Sequence, residues 1–120
     1  MARVLVLTGD LLFGSQLQGS LTAAGHAVEL KAEGDAVRDG LPADALLVDL
    51  TDAAIERCEL FEALAREGAL GTTRTLAYYS HVEADVRERA DGAGFRLIVP
   101  RSRMAREAPA VLASLLDGSR

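Results

Sequence analysis

Ala45-Leu46-Leu47-Val48-Asp49-Leu50 is the stretch on which the fold turns. Four consecutive apolar residues leave no polar side to face water, and a run this short, bounded by Asp44 and Asp49, suits a strand covered on both faces. Asp44 to Leu50 is the most hydrophobic such segment of the chain and is therefore expected at the centre of a parallel sheet. Asp49 closes it, so one carboxylate is delivered to the carboxyl-terminal rim of that sheet.

Upstream, Val4-Leu5-Val6-Leu7 has the same character and ends at Thr8-Gly9-Asp10, where Asp10 is placed to cap a helix starting near Leu11. Phe13, Leu17, Leu21 and Ala24 recur at helical spacing, and Gly25 supplies a left-handed end. Ala27 to Ala32 alternates Val28 and Leu30 with polar residues, as a strand near the sheet edge does. Glu33 to Pro42 carries two glycines and a proline, which limits any helix there to one or two turns.

Downstream, Ala53 to Glu67 predicts a helix with Ile55, Cys58, Phe61, Leu64 and Ala65 on its buried face. Arg74 to Tyr79 is a fourth strand. Val82 to Ala93 is a helix with Val82, Val86 and Ala90 toward the core and Glu83/Arg87 and Asp85/Arg89 as i, i+4 pairs. Arg96 to Val99 is a fifth strand, stopped by Pro100. Ser102 is expected to cap a last helix whose apolar stripe is Met104, Ala108, Val111, Leu112 and Leu115, with a kink or restart at Pro109. Alternating strands and helices joined by short loops give an α/β fold: a doubly wound five-stranded parallel sheet, flavodoxin-like, in the order 2-1-3-4-5, with a shortened second helix.

Bulk properties narrow the function. The 120 residues form one domain, 1–120, with 49% hydrophobic residues and enough apolar surface for one core. A formal charge of −5 excludes general affinity for nucleic acid. No apolar run is long enough to span a bilayer, and Met1-Ala2-Arg3 leads straight into a strand without an apolar leader, so the expectation is a soluble, cytoplasmic protein with no membrane contact. Cys58 is alone, excludes an internal disulfide, and reads as a buried apolar residue.

With these elements in this order, the chain resembles the receiver domain of two-component response regulators over essentially its whole length. Ala45 to Leu50 matches the family's third strand, which makes Asp49 the phospho-acceptor position. Ser80, closing the fourth strand, matches the Ser/Thr that bonds the phosphoryl oxygen, and Phe95 matches the aromatic residue near the fifth strand. The resemblance has three departures. The acidic pair that holds Mg²⁺ after the first strand is replaced by Thr8 and Gly9, with Asp10 one step late, and Mg²⁺ requires such oxygen ligands. The lysine before the proline is replaced by Val99; Lys31 is the only lysine, and Arg101 is a planar fork instead of a compact ammonium. Thr51-Asp52 stands where Met-Pro is common.

Phosphoryl transfer depends on cations that neutralise the transferring oxygens, and both expected cations are missing. The pattern resembles atypical receivers, which implies a non-enzymatic, phosphorylation-independent interaction domain without Mg²⁺ or other cofactor, contacting a protein partner or a second copy through region 82–116. Two alternatives stay open: a phosphorylatable receiver with Asp49 as acceptor, and a small flavodoxin-like nucleotide or cofactor binder.

Other patterns carry less. Gly9 and Gly14 do not fit the spacing of a dinucleotide fingerprint, and the absence of any Gly-Lys pair excludes a P-loop. His81 near Asp10, Asp49 and Asp52 is a candidate ligand or base, weighed against a solvated rim histidine. His26 reads as a surface residue. Asp10, Ser80, His81, Phe95 and Arg101 are the rim candidates around Asp49. Arg96, Arg101, Arg103 and Arg106 cluster near the last helix as a candidate partner face.

Overall fold

A computed structural model describes residues 1–117. Its elements are β1 (Arg3–Leu7), α1 (Leu11–Ala23), β2 (Ala27–Lys31), α2 (Gly34–Gly40), β3 (Ala45–Asp49), α3 (Ala54–Arg66), β4 (Arg74–Tyr79), α4 (Ala84–Ala93), β5 (Leu97–Pro100) and α5 (Arg101–Asp117). All strands are parallel in the order β2-β1-β3-β4-β5, so the expected doubly wound topology is the observed one. Every residue of β3 is buried, which is why it can be apolar on both faces.

Alternation along the strands divides the core in two. Val4, Val6, Ala45, Leu47, Leu76 and Tyr78 point toward α1 and α5, where Phe13, Leu17, Leu21, Met104, Leu112 and Leu115 meet them. Leu5, Leu7, Leu46, Val48 and Ala77 point toward α2, α3 and α4, against Val37, Cys58, Phe61, Leu64, Ala90 and Phe95. Cys58 is buried, as its spacing indicates. No helix of the described residues is long and apolar enough to cross a membrane.

Several local expectations change. The last helix starts at Arg101, so Ser102 lies inside its first turn and is not the residue that caps it. Its break falls at Glu107 (φ −137°, ψ 27°), two residues before Pro109. Pro109 lacks an N–H, and its ring crowds the carbonyl one turn back; the chain therefore restarts with the proline in the first turn of the new segment. Helix α4 begins only at Ala84, and Val82 is 76% exposed instead of core-facing. Ile55 is 61% exposed and Ala65 is also exposed, because the phase of α3 is set by Cys58, Phe61 and Leu64; Leu60 packs against the core from their side. Ala24 is exposed too, since α1 has ended.

The turn into α3 is strained. Ala53 adopts φ 47°, ψ 37°, the single non-glycine with positive φ among the described residues. A left-handed alanine costs about 1–2 kcal/mol, part of which glycine recovers before its greater freedom in the unfolded chain is subtracted. Ala53→Gly should therefore raise stability by up to about 1 kcal/mol, read as a higher urea midpoint at unchanged slope.

Candidate functional site: the carboxyl-terminal rim

Asp49 shares the α1/α5 side of β3 with Leu47 and lies in register beside Tyr78 of β4. It is 1% exposed. Its Oδ2 accepts from the Thr8 hydroxyl at 2.6 Å, and its Oδ1 accepts from the Thr51 backbone N–H at 2.8 Å and from the Thr51 hydroxyl. Thr8 in turn accepts from the Asp10 N–H at 3.0 Å. Both carboxylate oxygens thus accept hydrogen bonds from neighbours on either side, and Thr8 occupies the position after β1, where a Mg²⁺ site needs acid.

A cation is already present at this end of the strand. Nη1 of Arg57 donates to the Asp49 carbonyl at 2.9 Å, the Asp52 carbonyl at 3.1 Å and the Asp52 carboxylate at 2.7 Å. Its other terminal nitrogen would lie 3.4 Å from a Cβ built on Gly9, so the guanidinium spans the gap between the β1 and β3 ends. Oxygens that an octahedral cation would require already accept from hydroxyl and N–H groups, and among the described residues no group of three His, Cys, Asp or Glu side chains could hold a metal. The residues present do not fit Mg²⁺.

Asp10 does not join Asp49. Its Oδ1 caps α1 by accepting from the Phe13 N–H at 2.9 Å, and its Oδ2 accepts from Arg101 at 3.2 Å. Arg101 lies 4.1 Å over the Phe13 ring, so it is held by stacking as well as by charge. Ser80, His81, Thr51, Asp10, Arg101 and Ser102 line a polar cleft of about 490 Å³ above these contacts. Four of the five rim candidates around Asp49 therefore come together. Phe95 does not: it precedes β5, at the end opposite the rim, and stacks on Phe61 with ring centroids 3.9 Å apart. Its neighbour at the rim end of β5, Val99, is buried in the α1/α5 core.

Sequence reading puts Thr8 and Thr51 at the strand ends but not as the partners of Asp49, and it misses Arg57 and Tyr78. Strand alternation places Tyr78 on the side of Asp49, but nothing in the sequence reveals its isolation. The Tyr78 hydroxyl is buried beside Thr8 and Asp49 without completing a hydrogen bond of ordinary geometry. Burial first, then the negative charge of Asp49, push its pKa far above the usual phenol value. A buried hydroxyl without a partner costs about 1–3 kcal/mol, so Tyr78→Phe should be neutral or stabilising by about 1 kcal/mol. The raised pKa also sets a sign. The folded protein keeps the phenol neutral while the unfolded chain ionises it near pH 10; stability from this group is complete below that pH and declines above it. Tyr78→Phe should flatten that alkaline decline in urea unfolding.

Of the charge pairs expected on α4, neither forms. Glu83 lies outside the helix as its N-cap, Arg87 turns to Asp91 at 3.4 Å, and Arg89 makes a bidentate pair with Glu62 of α3 at 2.9 and 2.8 Å. Arg101 has left the supposed arginine cluster for Asp10.

No protein-family model matches the chain, and no curated protein matches it. The structure is similar to solved receiver domains across its length. A response regulator from Thermotoga maritima superposes with a TM-score of 0.80 at 15% identity, covering 97% of this chain and 98% of that one. The signal receiver domain of the response regulator NarL from Mycobacterium tuberculosis gives 0.79 at 19%, over 98% and 97%. A response regulator receiver protein from Burkholderia phymatum gives 0.78 at 22%, over 98% and 96%. At these identities the likeness is one of fold: the chain has the receiver fold.

Proposed function

We propose that the chain is a receiver-fold signalling domain that works without phosphorylation, as a non-enzymatic cytoplasmic module acting through protein contacts in region 82–116. The observation that carries this reading is the closure of Asp49: 1% exposed, both oxygens hydrogen-bonded to Thr8 and Thr51, with Arg57 bound to the strand-end carbonyl. An aspartyl nucleophile needs one oxygen free to attack phosphorus and cations to neutralise the group it receives. Here the oxygen is engaged, and the nearest cations, Arg57 and Arg101, are committed to Asp52 and Asp10. In region 82–116, Arg103 and Arg106 are exposed on α5, and Arg87 and Asp91 on α4, a mixed-charge face suited to a protein partner or a two-fold contact with a second copy. The polar cleft beside Ser80 and His81 favours a small ligand as a second kind of input.

Incubation with acetyl phosphate and Mg²⁺ followed by intact-protein mass measurement tests the reading. The expected result is no gain of a phosphoryl group. Beryllofluoride with Mg²⁺, followed by amide NMR, is the companion measurement: saturable shifts around Asp49 and Ser80 that disappear in Asp49→Asn would sink it.

A further inference from the structure

Apart from Met1, the large hydrophobic side chains exposed among the described residues all follow strand ends: Leu11 and Leu12 after β1, Ile55 after β3 and Val82 after β4. Ile55 among them lines a concave surface. Between the first turns of α3 and α4 lies a groove of about 600 Å³ lined by the apolar Ala53, Ala54, Ile55 and Val86 and by the charged Glu56, Asp85 and Arg89. Further along, the two helices are tied together by the bidentate Glu62–Arg89 pair.

The charge around the groove is one-sided. Arg89 is neutralised by Glu62, whereas Glu56, Glu83 and Asp85 form no ion pair among the described residues. Asp52, adjoining Ala53, is largely exposed, although Arg57 binds one of its oxygens. Apolar walls with acidic edges select a segment of opposite pattern, since a charge of the same sign placed there is repelled and an uncharged one leaves the acids unanswered. The strained backbone of Ala53 lies in the wall itself, and such strain persists in soluble domains mostly where a site requires the geometry.

We propose that the α3/α4 groove is a docking site for a basic amphipathic helix, whose apolar residues seat against Ile55, Val86 and Ala54 and whose Lys or Arg residues face Glu56, Asp85 and Glu83. The proposal rests on the reading of the domain as an interaction module, and it adds a surface separate from Asp49 and centred outside α5. Helix-in-groove recognition takes anchors at i, i+3/i+4 and i+7, a pattern suited to an apolar groove between two helices.

A fluorescein-labelled Leu/Lys amphipathic peptide of about 15 residues, long enough to form helix on binding, is the probe. Anisotropy titration of the full chain should give saturable binding that weakens with salt, and a Leu/Glu peptide of the same pattern should not bind. Amide NMR should locate the shifts at Ala53 to Glu56 and Asp85 to Arg89. Ile55→Asp, a change at an exposed position that leaves the core intact, should weaken binding by about tenfold or more, the effect of losing one anchor. Leu12→Asp, exposed but outside the groove, should leave it unchanged. Absence of saturable binding, equal binding of the Leu/Glu peptide, or equal sensitivity to Leu12→Asp would overturn the proposal. Asp49→Asn should not alter the titration. Phosphoryl transfer from acetyl phosphate is read separately by mass, so failure of the groove and failure of the phosphorylation-independent reading are different results.

Discussion

Replacing Asp49 by alanine should lower stability by about 3 kcal/mol, the largest loss expected from any polar side chain of this protein. The carboxylate is the shared acceptor for the Thr8 hydroxyl, the Thr51 N–H and the Thr51 hydroxyl, and alanine leaves the buried Thr8 hydroxyl and the half-buried Thr51 donors without this partner. Each unsatisfied buried donor costs about 1–3 kcal/mol, offset in part because a buried negative charge and its desolvation cost disappear together. Asp49→Asn keeps the shape and one acceptor but points an amide donor at another donor, so a smaller loss of about 1–2 kcal/mol is expected. Urea unfolding of the three proteins measures both. A neutral Asp49→Ala would mean that the carboxylate is not anchored by its neighbours and is free to act as an acceptor.

Arg57→Ala should be the second largest, a loss of about 2 kcal/mol. An exposed ion pair would be worth far less, but this guanidinium is mostly buried and two of its three acceptors are backbone carbonyls of the turn after β3. Removing it frees the carbonyls of Asp49 and Asp52 and releases the loop that holds Thr51 over Asp49. The consequence reaches beyond stability. Amide exchange at Thr51 should accelerate in Arg57→Ala, because the N–H that closes Oδ1 loses the support of its turn. Unchanged exchange at Thr51 would separate Arg57 from the closure of the carboxylate.

The rim explains why parts of the site could be read in sequence and others could not. Asp10 was identified as a cap because a cap is a local device, three residues from the amide it serves, and the structure has that bond to Phe13. Asp49, Ser80 and His81 were placed at the rim because strand ends are fixed by where apolar runs stop. Phe95 is a rim candidate only through the family resemblance; chain order alone puts a residue before β5 at the end opposite the rim, where it stacks on Phe61. Ile55 and Val82 were assigned to the core on periodicity alone, and the phase of α3 and the late start of α4 turned them outward. Arg89 was matched to a neighbour on its own helix, while Glu62 on α3 offers both carboxylate oxygens to its planar fork.

The sequence by itself determined the five strands, their parallel order, the position of Asp49 at a strand end and the loss of the acidic pair and the lysine, because hydrophobic period and chain order are local and additive signals. Only the tertiary structure decided what Asp49 is bound to. Thr8 is separated from it by 41 residues, Arg57 reaches it from the following helix, and Tyr78 arrives from the adjacent strand. Such partners are selected by distances between packed elements, to which composition and spacing are blind. In this chain those distances close the carboxylate and leave an acidic, apolar-lined groove open between the starts of α3 and α4.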